Sequence, residues 1–220
     1  MAIGKRDRTR SKLLIAAQEL ALEGGASALT VYNLTERAEM APGTFYNYYR
    51  TREDVLDDIC ALLVMATRQV VSQAIEGLTD LQAIVATSVR QTLRMAAPGQ
   101  DIGHLLFDAS LPTQNFILGM RQFFRRDLEE GMGNGAFQVV NEAAVIAMVS
   151  GSSYGVMQDI YQERLPMEMI EDIAEMTLRV LGVEAVVAAA QARLPIDFCA
   201  PPKLPLIATE LLPPLGAAAR

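Results

Sequence analysis

The most enzyme-like feature of the chain is Gly151-Ser152-Ser153-Tyr154-Gly155, which fits the Gly-x-Ser-x-Gly pattern of a hydrolase nucleophile elbow. That chemistry needs a strand, a sharp turn, a helix and a later histidine to take the serine proton. The one histidine, His104, comes before Ser153, and the residues around the motif have helical spacing, so serine hydrolysis is excluded. Asp57-Asp58 and Glu129-Glu130 are adjacent pairs that point in different directions on a helix and read as solvated surface. Cys60 and Cys199 stand outside any metal-ligand spacing and read as packing residues. No catalytic, metal or cofactor constellation is left. A different chemistry is present in Lys5, Arg6, Arg8, Arg10, Arg50 and Arg52, which flank Thr44, Tyr46, Asn47 and Tyr48. Cations for phosphates and hydroxyl and amide groups for base edges are the means of binding duplex DNA.

The elements that must hold these residues are helical. Leu13, Leu14, Ala16, Ala17, Leu20 and Ala21 recur at helical spacing over 9–23, and Gly24 and Gly25 supply the stop. Thr30 is an N-cap with Asn33, not Glu, three residues on, giving half a capping box for a helix to about Met40. Pro42 at a first-turn position opens a short helix through Tyr48, so two short helices meet across a tight turn. In that second helix Phe45 and Tyr49 are four apart and face inward, whereas Tyr46, Asn47 and Tyr48 project outward. Glu53 and Asp54 suit the first turn of a long helix over 54–75, and further helices are expected at 81–96, 102–109, 114–131, 137–161 and 167–181. Nothing reads as a strand.

Composition supports a large core, with 51% hydrophobic and 20% charged residues in 220. No apolar run approaches the roughly 20 residues of a membrane helix, and the N-terminus lacks a secretion signal, so a cytoplasmic protein without a membrane partner is expected. The formal net charge of −7 argues at first against nucleic acid. Its distribution reverses that: through Arg52 eight basic residues face five acidic ones, +3, while the remaining 11 basic and 21 acidic residues carry −10. A basic head on an acidic body confines phosphate binding to one end.

The run from Thr30 to Glu53, above all Pro42-Gly43-Thr44-Phe45-Tyr46-Asn47-Tyr48-Tyr49, resembles the TetR family signature, and the resemblance covers Arg8 to Leu56. It implies an all-α fold with an N-terminal helix-turn-helix three-helix head and a larger helical body for ligand binding and dimerisation. It also implies that Gly43, Thr44 and Tyr46 lie near bases while Thr30, Asn47, Tyr48 and Arg52 touch phosphates. Lys5, Arg8, Tyr32 and Pro42 complete the expected DNA face. The family usually has Gly where Glu39 stands and Lys where Arg52 stands; the glutamate adds a negative charge in the turn and an altered backbone is expected there.

In the body, Met95, His104, Phe107, Phe116, Met120 and Phe124, with Met148 and Tyr154, make a soft, adaptable set suited to a pocket for apolar ligands, although for each taken alone plain core packing is the better reading. The segment 137–161 is apolar almost all round and must be covered twice. Val149, Ser153 and Val156 there, with Ile173, Met176 and Val180 on the next helix, are expected to form a two-fold four-helix interface between copies. Six of the ten prolines follow Leu194, giving an extended tail that lies on the body. The expected domains are a head over 1–52, a body over 53–193 and this tail over 194–220. The expected function is a homodimeric, ligand-responsive regulator, a repressor released from a palindromic operator by a small apolar or amphipathic effector. The alternative is a ligand- or partner-sensing helical module whose DNA binding is incidental.

Overall fold

The computed structural model describes residues 4–213. Among the described residues there is no strand. The helices are α1 (Lys5–Gly24), α2 (Val31–Arg37), α3 (Pro42–Phe45), α4 (Arg52–Ala74), α5 (Leu81–Arg94), α6 (Asp101–Gly103), α7 (Thr113–Gly133), α8 (Glu142–Tyr161), α9 (Ile170–Val180), α10 (Ala185–Ala192) and α11 (Ala208–Leu211). A π-helical turn, His104–Asp108, continues α6. Two compact units form: one from residues 4–66, 104–116 and 202–213, the other from 67–103 and 117–201.

In the first unit α1 buries Leu13, Leu14, Ala16, Ala17, Leu20 and Ala21, and ends where Gly25 takes φ 67°, a conformation that suits glycine. The helix begins at Lys5, four residues before the expected start, so Lys5, Arg6 and Arg8 are helical positions. The hydroxyl of Thr30 accepts the Asn33 N–H at 3.1 Å, the predicted cap of α2. The far end of α2 closes as a Schellman turn, with Met40 N–H on the Thr35 carbonyl at 2.8 Å and Glu39 N–H on that of Glu36 at 3.1 Å. This places Glu39 at φ 55°, the altered backbone expected of a non-glycine residue here. Pro42 starts α3 as anticipated, but only Pro42–Phe45 is α-helical and Tyr46 to Tyr48 follow as turns.

Side chains then lock this unit. Arg10 reaches Asp58 with two nitrogens, each at 2.8 Å, and the Tyr49 hydroxyl donates to the same carboxylate at 2.7 Å. Burial alone would lower the Arg10 pKa, but the hydrogen bond and charge of Asp58 outweigh it and hold the guanidinium charged. The expected phosphate contact of Arg10 is thereby corrected: its charge is neutralised inside the unit. Asp54 and Thr51 form a capping box for α4, the carboxylate accepting the Thr51 N–H at 3.0 Å and the hydroxyl accepting the Asp54 N–H at 3.3 Å. Residues after α6 dock on the end of α1, where Ala26 N–H meets the Ala109 carbonyl at 2.7 Å and His104 lies 3.2 Å from the Leu22 carbonyl.

In the second unit α5 is packed by α8, α9 and α10, and buries Leu81, Val85, Ala86, Val89 and Leu93. Helix α8 begins at Glu142 and not at 137, because Asn141 caps it by accepting the Ala144 N–H at 2.9 Å. The residues before the cap pack elsewhere. The Phe137 ring fills the space a Cβ on Gly131 would take, and Gln138 N–H bonds the Leu181 carbonyl at 2.8 Å. The region expected as one helix over 167–181 is a 3₁₀ turn, Met167–Met169, followed by α9. Helix α10 lies outside the expected elements; its run of alanine and valine has no polar face to give it a period.

Candidate nucleic-acid interface

The recognition surface rests on a buried pair. Phe45 is fully buried and Tyr49 nearly so, with ring centroids 5.8 Å apart, which leaves the residues between them on the outside. Tyr46 is 63% exposed and Tyr32 on α2 66%, so both rings stand largely in solvent. Pro42, Gly43, Asn47 and Thr30 are exposed, and Thr44 and Tyr48 are half-buried. A Cβ on Gly43 would meet nothing within 4 Å. Packing therefore does not demand glycine there, and the missing side chain makes a low-profile edge that admits close approach of another molecule.

The cations divide into committed and available ones. Arg10 is committed to Asp58, and Arg37 bridges Glu19 and Glu23 at 3.3 and 2.7 Å, contacts that hold its pKa above the ordinary arginine value. Lys5, Arg6, Arg8 and Arg50 are exposed or half-exposed. Arg52 is half-exposed and sits 3.4 Å from Glu53 and 3.5 Å from the Ala26 carbonyl. Sequence patterns could not show which arginines are taken, since the Arg10 partner lies 48 positions away.

The expected ligand residues are distributed over both units. His104, Phe107 and Phe116 belong to the first, and Met95, Met120, Phe124, Met148 and Tyr154 to the second. Met95 and Phe116 are fully buried, Phe107, Met120, Phe124 and Tyr154 half-buried, and Met148 is exposed. His104 also lies 2.9 Å from Asp108, so both its ring nitrogens are engaged within the unit. A residue missed by sequence reasoning is Asp127, one turn beyond Phe123 and Phe124 on α7; burial pushes its carboxyl above the usual carboxylate range. The Cys60 thiol, buried and pushed up to about 12, is inert packing.

Of the expected dimer residues, Met176 and Val180 are exposed, and Ser153, Val156 and Ile173 are half-buried. Val149 is buried in its own protomer, in a stripe with Ile146, Met157 and Ile160. The opposite stripe of α8, with Ala144, Ala147, Met148 and Gly151, is bare. Ser153 lies within this continuous helix, so the hydrolase pattern has none of the turn it requires. Among the described residues no group of acidic, histidine or cysteine side chains could hold a metal, and no helix is long and apolar enough to cross a membrane.

This geometry is a helix-turn-helix with an exposed reading face, joined to a larger helical body. The family model "Bacterial regulatory proteins, tetR family" matches residues 13–59, and "Tetracyclin repressor-like, C-terminal domain" matches residues 80–193. The chain belongs to the TetR family and is a ligand-responsive, DNA-binding transcription regulator. The family's members and the structural neighbours are regulators, not enzymes. Its fold is similar to that of RolR in complex with resorcinol, at 24% identity and a TM-score of 0.73 over 89% of this chain and 98% of that one. It is also similar to the fatty acid degradation regulator FadR from Bacillus halodurans, at 20% identity and a TM-score of 0.58 over 76% and 96% of the two chains. FadR from Bacillus subtilis in complex with stearoyl-CoA aligns at 16% identity and a TM-score of 0.56 over 77% and 97%. No curated protein matches the sequence.

Proposed function

We propose that the chain is a cytoplasmic homodimeric repressor that leaves a palindromic operator when a small apolar or amphipathic ligand enters its body. The observation that carries the DNA part is the exposed face of Tyr32, Gly43, Tyr46 and Asn47 raised on the buried Phe45 and Tyr49. Tyr46 and Gly43 approach base edges, and Thr30, Asn47, Tyr48, Lys5, Arg8 and Arg52 hold phosphates. The bare stripe of α8 with Met176 and Val180 on α9 supports pairing of two copies, which sets two reading faces against two half-sites. The proposed domains are the head to residue 52, the body to 193 and the tail beyond.

The ligand part draws on Met120, Phe124 and Tyr154, half-buried residues of the body, with the Asp127 carboxyl on α7 as a further polar group. Resorcinol in RolR and stearoyl-CoA in FadR supply two probes of opposite size. The docking of residues 104–109 on the end of α1 gives a route from the chain of the body to the head, through His104 and Ala109. Ligand binding shifts the equilibrium between two head arrangements by a coupling of about 1–3 kcal/mol.

The test is selection of duplexes from a random-sequence library, followed by fluorescence anisotropy with and without resorcinol or stearoyl-CoA. A palindrome bound with steep salt dependence, and released by one of the two probes, is expected. Binding without sequence preference would contradict the proposal and favour a module that holds DNA only incidentally.

A further inference from the structure

Two glutamines with no exposed surface do the same unusual thing in different units. Gln18 on α1 donates Nε2 to the Leu206 carbonyl at 2.9 Å and accepts the Leu206 N–H on Oε1 at 2.6 Å. Gln91 on α5 donates Nε2 to the Cys199 carbonyl at 3.1 Å and accepts the Cys199 N–H at 2.9 Å. Each side-chain amide pairs with one residue of the tail as a neighbouring strand would, satisfying a backbone donor and acceptor together. Burying a primary amide costs free energy unless it is bonded in this way, so both sites bind the tail specifically and not as loose apolar cover.

Each clasp is reinforced. In the second unit the Arg90 guanidinium, 4% exposed, donates to the Leu194 carbonyl at 2.6 Å, and the Phe198 ring lies under Arg94 at 4.5 Å and Arg90 at 5.6 Å. In the first unit Leu206 and Ala208 are buried and α11 packs on α1. Between the clasped residues stand six residues, Ala200 to Pro205, three of them proline. Such a segment is short and stiff, unlike a flexible linker.

We infer that the tail is a strap: held at Cys199 by the body and at Leu206 by the head, it limits the freedom of the head and thereby favours DNA binding. This rests on the DNA-binding reading above. A head restrained in advance loses less freedom when it docks, so a cut or slackened strap weakens operator binding. A strap is released equally by failure at either end, whereas a packing defect acts only where it is made.

The experiment compares, in the full-length chain, Gln18→Met, Gln91→Met, the double variant, and an insertion of four Gly-Ser residues between Pro201 and Pro202 that leaves both clasps intact. Thermal melting reports folding, and amide exchange at Cys199 and Leu206 reports the clasps. Affinity is measured for a duplex selected by the wild-type protein. The strap predicts a loss of at least about fivefold in each single variant and in the insertion, and no further loss in the double variant. Unchanged affinity in the folded insertion and in Gln91→Met, or a loss confined to Gln18→Met, overturns it. A wild-type protein that selects no duplex would instead strike at the DNA-binding reading, leaving the exchange protection of the two amides to be judged separately.

Discussion

The head and the body both leave large apolar side chains in water, but of opposite chemistry. On the head they are Tyr32 and Tyr46, rings that end in a hydroxyl and share their surface with Asn47 and the bare edge of Gly43. On the body they are Met148, Met176, Val180 and Val186, which have no donor to offer, together with the exposed alanines and Gly151 of α8. A surface of rings with polar tips suits a partner rich in acceptors, such as a duplex groove. One of methionine and valine suits a partner that is itself apolar, and a second copy meets that need by symmetry. Exposure of apolar area alone does not name a partner; the polar atoms mixed into it do.

The strongest break in this comparison is a charge on the body face. On the proposed pairing of two copies, Met176→Glu would place two carboxylates near the two-fold interface, a cost of about 3–5 kcal/mol for unpaired buried charges. Light scattering should fall from twice the monomer mass to the monomer mass at micromolar concentration, with helicity kept. Tyr46→Ala should leave mass and melting temperature unchanged and weaken operator binding by about 1–3 kcal/mol in anisotropy titrations. A smaller effect concerns stability: Glu39→Gly relieves the left-handed backbone at φ 55° and should stabilise the protein by roughly 0.5–1 kcal/mol in urea denaturation. The smallest is a pH effect. The N–H groups of Thr51 and Arg50 hold the Asp54 carboxyl below its ordinary value, so its stabilisation is present above that value and lost as pH falls through the lowered one. Asp54→Asn should flatten this acid limb of the melting curve and leave the shape of the curve near neutral pH unchanged.

Much of the head is legible in the sequence because its signals are local. Thr30 as a cap, Pro42 at a first turn, and the spacing of Phe45 and Tyr49 each act within a few residues and appear as expected. The paired arginines are illegible, since Asp58 meets Arg10 only through the fold. In the body, periodicity runs α8 on through Phe137 because an apolar residue looks the same in a helix and under a glycine; the cap at Asn141 is what separates them. The π-helical turn at 104–108 and the alanine-rich α10 follow from tertiary packing and not from pattern. The tail is expected to be extended and to lie on the body; its first part does so through Gln91 and Arg90, whereas its later part is held by Gln18 on α1 and, against expectation, turns into the short helix α11.

The most direct test of the division between the two faces is photocrosslinking to a selected duplex carrying 5-iodouracil in its half-sites, with the attached peptide identified by mass spectrometry. The account predicts crosslinks to Tyr46, lost in Tyr46→Phe only if the hydroxyl positions the ring and lost in Tyr46→Ala in any case. Crosslinks that map to α8 or α9 instead would contradict it.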